Sequence, residues 1–180
     1  MTAARIAIDS WIDGRSKPAI AGEALLRWCD AEHGEISPTR FIEIAEDSGL
    51  IIDMGAWVTR KVCRQLRDWL DRGVAVPIAI NVSGKDLLHG DPVQLIQSEA
   101  AATGIPVSLI EVEITESLLI KDSAAVRSAL RGLRRLGCRI ALDDFGTGYS
   151  SLAYITRFPP DRIKIDKAFV IRRNCYGRGR

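Results

Sequence analysis

The chain has 180 residues, 47% of them hydrophobic and 27% charged, which suits a globular domain with a real core and excludes a low-complexity or disordered chain. A net charge of +2 gives no long-range field, so charge alone points to neither a nucleic-acid polymer nor a membrane surface. No apolar run approaches the roughly 18 residues of a spanning helix, the opening MTAARIAIDSW lacks signal-peptide character, and a cytoplasmic protein is expected. Cys29, Cys63, Cys138 and Cys175 form no C-x-x-C pair and read as buried or free thiols.

Residues 4–11 and 18–26 read as two strands joined at Asp13-Gly14-Arg15. Ser37-Pro38 opens a helix, with the serine as cap, and Gly49 closes it. Val58, Val62, Leu66, Trp69 and Leu70 keep one helical face up to Gly73. A buried strand follows at 75–82, then a helix from Asp91-Pro92 to Gly104 and a strand at 109–114. Val126, Leu130 and Leu133 mark a helix ending at Gly137. Strands at 139–143 and 162–165 complete the series, with a loop and a short helix between them.

Alternating strands and helices predict a parallel sheet. Glu23, Asn81, Glu113, Asp143-Asp144 and Lys164 fall in or at the ends of five successive strands. A parallel barrel gathers the carboxyl ends of all its strands at one mouth, whereas an open sheet gathers ligands only at a switch point, so a barrel is favoured.

Carboxylates and an amide oxygen converging at such a mouth repel one another unless cations lie among them. Oxygen donors without histidine or cysteine suit Mg2+ or Mn2+ rather than zinc. A bend at Asp143-Asp144 would let each aspartate serve a different ion, the arrangement that splits phosphodiesters, with Lys164 orienting water or neutralising charge. Taken singly, each of these residues has a plainer reading. An acidic strand end is usually a helix cap or solvated, and Lys164 alone would be a surface lysine. Asn81-Val82-Ser83 also fits a glycosylation acceptor, without any sign of secretion.

Several segments together identify a family. Glu23-Ala24-Leu25-Leu26-Arg27-Trp28, ISPTRFIEIAEDSGLI at 36–51, INVSGKDL at 80–87, EVEITES at 111–117, DDFGTGYSSLAYI at 143–155 and DRIKIDKAFV at 161–170 resemble, in order and spacing, the motifs of EAL domains. The resemblance implies a bacterial signalling protein with a modified TIM-like (β/α)8 barrel whose first strand is antiparallel. It also implies a phosphodiesterase that linearises cyclic di-GMP to pGpG. Carried over by position, Glu23, Asn81, Glu113 and Asp143 match metal ligands and Asp144 serves the second metal. Lys164 matches the lysine that holds the catalytic water, and Glu116 the glutamate that steadies the loop at 143–151. Arg27, with Leu26 beside it, matches the ligand-contacting segment.

Two segments depart from the family pattern. IAIDSWIDGR at 6–15 stands where the family carries Tyr-Gln-Pro-Ile-Val, whose glutamine touches the ligand. IRRNCYGRGR at 171–180 stands where two further strand–helix units are expected, the first with an Ala-Glu-Gly-Val-Glu motif whose leading glutamate joins the metal and water site. The expectation is a shortened, incomplete barrel over 1–170 with a basic, disordered tail at 171–180. Its strand at 163–165 and the opening hairpin would present unpaired edges and apolar inner faces, covered by a homodimer. Metal and cyclic di-GMP binding would then outlast turnover, which is expected to be weak or lost. An active Mg2+- or Mn2+-dependent phosphodiesterase, a non-catalytic protein–protein interaction module and an unselected remnant remain open alternatives.

Overall fold

In the computed structural model, residues 3–11, 21–120, 123–146 and 158–165 are described. Strand β1 (Ala3–Trp11) lies antiparallel to β2 (Ala21–Asp30), with Asp9 opposite Glu23 and Ile6 opposite Leu26. The far end of β2 also pairs with the short β3 (Gly34–Ile36). From β2 onward every neighbour along the sheet is parallel: β4 (Ile78–Asn81), β5 (Ile110–Thr115), β6 (Arg139–Phe145) and β7 (Arg162–Ile165). The order β1-β2-β4-β5-β6-β7, with helices between the parallel strands, is the expected α/β architecture with an antiparallel first strand.

The helices lie where punctuation in the sequence puts them. Helix α1 (Pro38–Ser48) ends at Gly49 in a left-handed conformation, and α2 (Ile51–Asp71) runs on from it. Helix α3 (Gly84–His89) is short. The Asp91 carboxylate caps α4 (Pro92–Thr103) by accepting from the Gln94 N–H, and Gly104 closes that helix. Helix α5 (Glu116–Ile120) follows β5 directly, and α6 (Ala124–Leu136) ends at Gly137. Ser37 departs from expectation. It occupies the N-cap position of α1, but its side chain makes no capping bond there, so proline at the next position carries the start.

Strand parity sorts the sheet into two faces. Ile78, Ile80, Ile110, Val112, Ile114, Ile140 and Leu142 point to one side and pack on Val62, Leu66, Ile96, Leu130 and Leu133 of the helical layer. Ala79, Asn81, Glu111, Glu113, Ala141 and Asp143 alternate with them and share the opposite face. The expected apolar inner face of the last strand is corrected here. In β7 the alternation gives Arg162 and Lys164 to the inner side, while Ile163 and Ile165 face outward and are 41% and 55% exposed.

The sheet curls. Four strand steps separate β2 from β7, which in a flat sheet would be about 19 Å. Yet Lys164 Nζ lies 2.8 Å from Glu23 Oε2. Only a barrel wall brings those strands face to face. Among the described residues β1 and β7 are its two edges. The loop with a short helix expected between β6 and β7, and the tail at 171–180, lie outside the described residues. Of the cysteines, Cys29 is exposed while Cys63 and Cys138 are buried and free, and burial pushes both buried thiols up to about 12.

Candidate metal centre

The inner face closes around one cluster of oxygens. Glu23 rises from β2, Glu113 from β5 and Asp143 from β6, and one carboxylate oxygen of each lies within 4.8 Å of the others. Asn81, at the end of β4 and directly beside Glu113 in register, donates from Nδ2 to Glu23 Oε1 at 3.1 Å. The Lys164 ammonium donates to Glu23 Oε2 at 2.8 Å, Glu113 Oε2 at 2.9 Å and Asp143 Oδ2 at 3.3 Å.

Depth separates the carboxylates electrostatically. The Glu113 side chain is fully buried. Burial is the main reason its carboxyl is pushed up to about 7, the nearby Glu23 and Asp143 charges add to this, and the Lys164 hydrogen bond works against it. Burial would also raise Glu23, but hydrogen bonds from Lys164 and Asn81 outweigh it and hold that carboxyl below the usual range. Lys164 is likewise pulled down by burial and more strongly held up by its two glutamate partners, so it stays charged.

This donor set fits a hard divalent cation. Its oxygens come from carboxylates and an amide, and Glu113 Oε1 is buried with no hydrogen-bond partner among the described residues. An orphaned buried carboxylate oxygen is costly unless a proton or a cation serves it.

The adjacent aspartates are placed by an irregularity. Leu142 pairs with Ile163 and Phe145 with Ile165, so Asp143 and Asp144 together face the single residue Lys164. This bulge turns Asp144 into the left-handed region at φ 55°, where it is the one non-glycine among the described residues, and leaves it exposed beside the cluster. Glu116, at the start of α5, accepts from the Gly146 N–H at 3.2 Å and so fixes the chain leaving β6. Arg27 shares a strand face with Glu23, four residues further along β2. Its Nη1 donates to the Leu26 carbonyl at 3.0 Å and its Nε lies 4.0 Å from Glu35. The Leu26 side chain is on the opposite face, packed on the core.

One inward pair escaped the sequence reading. Glu111, 2% exposed, lies beneath Glu113 on β5, and its carboxylate is 3.1 Å from the Arg162 guanidinium on β7. The signal was present in Glu111-Val112-Glu113 and Arg162-Ile163-Lys164, where both charges of each triplet recur at the strand period of two.

Known proteins share the family and the fold of this chain. The EAL domain family model matches residues 9–177. The chain is 42% identical over 154 residues to the bifunctional diguanylate cyclase/cyclic di-GMP phosphodiesterase MucR of Pseudomonas aeruginosa, covering 85% of this chain and 22% of that protein. It is 41% identical over 148 residues to the cyclic di-GMP phosphodiesterase PdeR of Escherichia coli, covering 82% of this chain and 22% of the relative. The chain thus spans about a fifth of the length of these curated relatives. A solved structure of the PaMucR phosphodiesterase in complex with c-di-GMP aligns with a TM-score of 0.88 at 37% identity, over 95% of this chain and 70% of that one. No helix among the described residues is long and apolar enough to cross a membrane.

Proposed function

Since this chain belongs to the EAL domain family, we propose that residues 1–170 form one domain that binds a divalent cation, Mg2+ or Mn2+, together with cyclic di-GMP at the mouth of its barrel. The observation that carries this reading is the meeting of Glu23, Glu113 and Asp143 oxygens within 4.8 Å, on three strands far apart in sequence.

Glu23, Asn81, Glu113 and Asp143 would hold the first cation, and Asp144, turned outward by the bulge, would contribute to a second. When bound, such cations neutralise phosphate charge and activate water for in-line attack. The residues of the chain supply the frame. Glu116 holds the backbone at Gly146 and thereby the direction of the segment after Asp144. Lys164 would supply a positive charge at the ligand phosphate and orient the water there. Arg27, on the Glu23 face of β2, offers its guanidinium to a ligand phosphate, with Leu26 supporting that segment from the core side.

A second reading, hydrolysis of cyclic di-GMP to pGpG, is favoured by the pairing of Asp143 and Asp144 across from Lys164. Incubation of the 180-residue chain with cyclic di-GMP and Mn2+, followed by chromatography, separates the two. Release of pGpG that disappears in Glu23→Ala supports turnover at this site. Calorimetric binding of cyclic di-GMP without pGpG supports binding alone, and neither signal removes both.

A homodimer covering the β7 side belongs to the same proposal, supported by the outward-facing Ile163 and Ile165. Light scattering from a monomer at high concentration would exclude it.

A further inference from the structure

The three contacts of Lys164 say more than that it is near the site. An ammonium has three N–H donors, and here each meets a different carboxylate: Glu23 at 2.8 Å, Glu113 at 2.9 Å and Asp143 at 3.3 Å. Three anionic groups drawn together on three strands need a positive charge among them, and Lys164, with its side chain 13% exposed, is the charge that fills that place.

We propose that Lys164 is an internal cation: it assembles the three carboxylates in the metal-free chain and leaves them when a divalent ion enters, so that it sets the metal affinity of the centre. This rests on the metal-binding reading above and adds to it a competition within the chain.

Steric and electrostatic arguments agree on the exchange. A divalent ion of the proposed kind lies about 2.1 Å from its oxygen ligands, and it would draw on the same Oε2 and Oδ2 atoms that now accept from Nζ. Two positive centres sharing those oxygens would repel at close range. The lysine can yield without rearrangement of the barrel. Its four rotatable bonds let the ammonium swing while β7 keeps its pairing, and the bulge leaves Asp144 across from it on β6. The released ammonium is then free for the water-holding role. In this way one residue preforms the site and also guards it against occupancy when divalent ions are scarce.

The test is metal binding rather than turnover. Mn2+ affinity is measured by calorimetry without nucleotide, and melting is followed in EDTA and in excess Mn2+, for the wild-type chain, Lys164→Met and Lys164→Gln. The expected result is at least tenfold tighter Mn2+ binding in both variants, a lower melting temperature in EDTA and a larger rise on adding Mn2+. A variant that folds only with Mn2+ present supports the proposal equally. Mn2+ affinity equal to or weaker than wild type overturns it, and so does a variant that stays unfolded even in Mn2+. If all three chains bind Mn2+ alike, only the internal-cation role falls. If none binds at millimolar Mn2+, the metal-centre reading falls with it.

Discussion

Glu111 and Arg162 face each other across the barrel interior at 3.1 Å, one layer below the Glu113–Lys164 contact. Strands β5 and β7 are therefore joined by two stacked ion pairs, although β6 lies between them in the sheet. The lower pair is sealed on the carboxylate side and partly open on the guanidinium side, where the Arg162 side chain is 29% exposed.

Removing one partner of that pair leaves an uncompensated charge. Arg162→Leu strands the buried Glu111 carboxylate and is expected to destabilise the chain by about 2–4 kcal/mol. The double change Glu111→Leu with Arg162→Leu should cost less than the single one, because it removes the buried charge as well. Urea denaturation of the wild-type chain and the two variants measures this, and a double variant worse than the Arg162→Leu single would refute it.

Gly55 is held small by a carboxylate. A Cβ at this position of α2 would lie 2.9 Å from Asp86 Oδ1. Asp86 cannot swing away freely, because its Oδ2 accepts from the Ser83 N–H at 2.9 Å and the Ser83 hydroxyl at 2.6 Å in the capping box of α3. Glycine to alanine inside a helix ordinarily gains about 1 kcal/mol. Gly55→Ala should instead lose about 1–2 kcal/mol, and the loss should shrink or reverse in an Asp86→Ala background. Melting temperatures of the four chains give the answer.

Much of this was legible in the sequence. The strand at 162–165 and the helix ends at Gly49, Gly104 and Gly137 fall where strand period and glycine placed them. The strand expected at 75–82 narrows to Ile78–Asn81, since Pro77 has no N–H for the ladder and offers only its carbonyl, to Gly22. Helix α3 was missed because its six residues are too few for a helical period. Its Ser83 and Asp86 capping box was the available sign. Strand β3 exists only through its pairing with β2, which no local pattern announces. The residues of the cluster were readable because each is a polar side chain within a strand, and Asn81 closes β4, whereas Glu23 stands third in β2, which runs on to Asp30 instead of ending near 26. The grip of Lys164 on three carboxylates was not readable, because it depends on barrel curvature that joins residues 141 positions apart.

Glu113 gives the metal-free chain a pH dependence. Its folded value of about 7 lies above the usual 4.5, so the folded chain holds this proton more tightly than the unfolded chain does. The stabilisation from neutral Glu113 is fully present below 4.5 and is lost as pH rises through about 7. Glu23, held below its usual value, contributes the opposite slope only at lower pH. In EDTA, unfolding free energy should fall by on the order of 2 kcal/mol from pH 5.5 to 7.5. Glu113→Gln should flatten that decline, and an unchanged slope in this variant would assign it elsewhere.

Arg27 separates nucleotide from metal. Its guanidinium is tethered only to the Leu26 carbonyl at 3.0 Å and loosely to Glu35 at 4.0 Å, with no contact to the carboxylate cluster among the described residues. Arg27→Ala should weaken cyclic di-GMP binding by about tenfold to a hundredfold, the worth of a hydrogen bond to a charged group, while Mn2+ affinity stays the same. Paired calorimetric titrations check this, and a parallel loss of Mn2+ affinity would contradict it.

The most direct measurement is the anomalous difference density of crystals grown with Mn2+. A manganese peak bounded by Glu23, Asn81, Glu113 and Asp143 is expected, with the Lys164 ammonium moved off the Glu113 oxygen. A well-occupied manganese bound elsewhere, with Lys164 still gripping all three carboxylates, would contradict this.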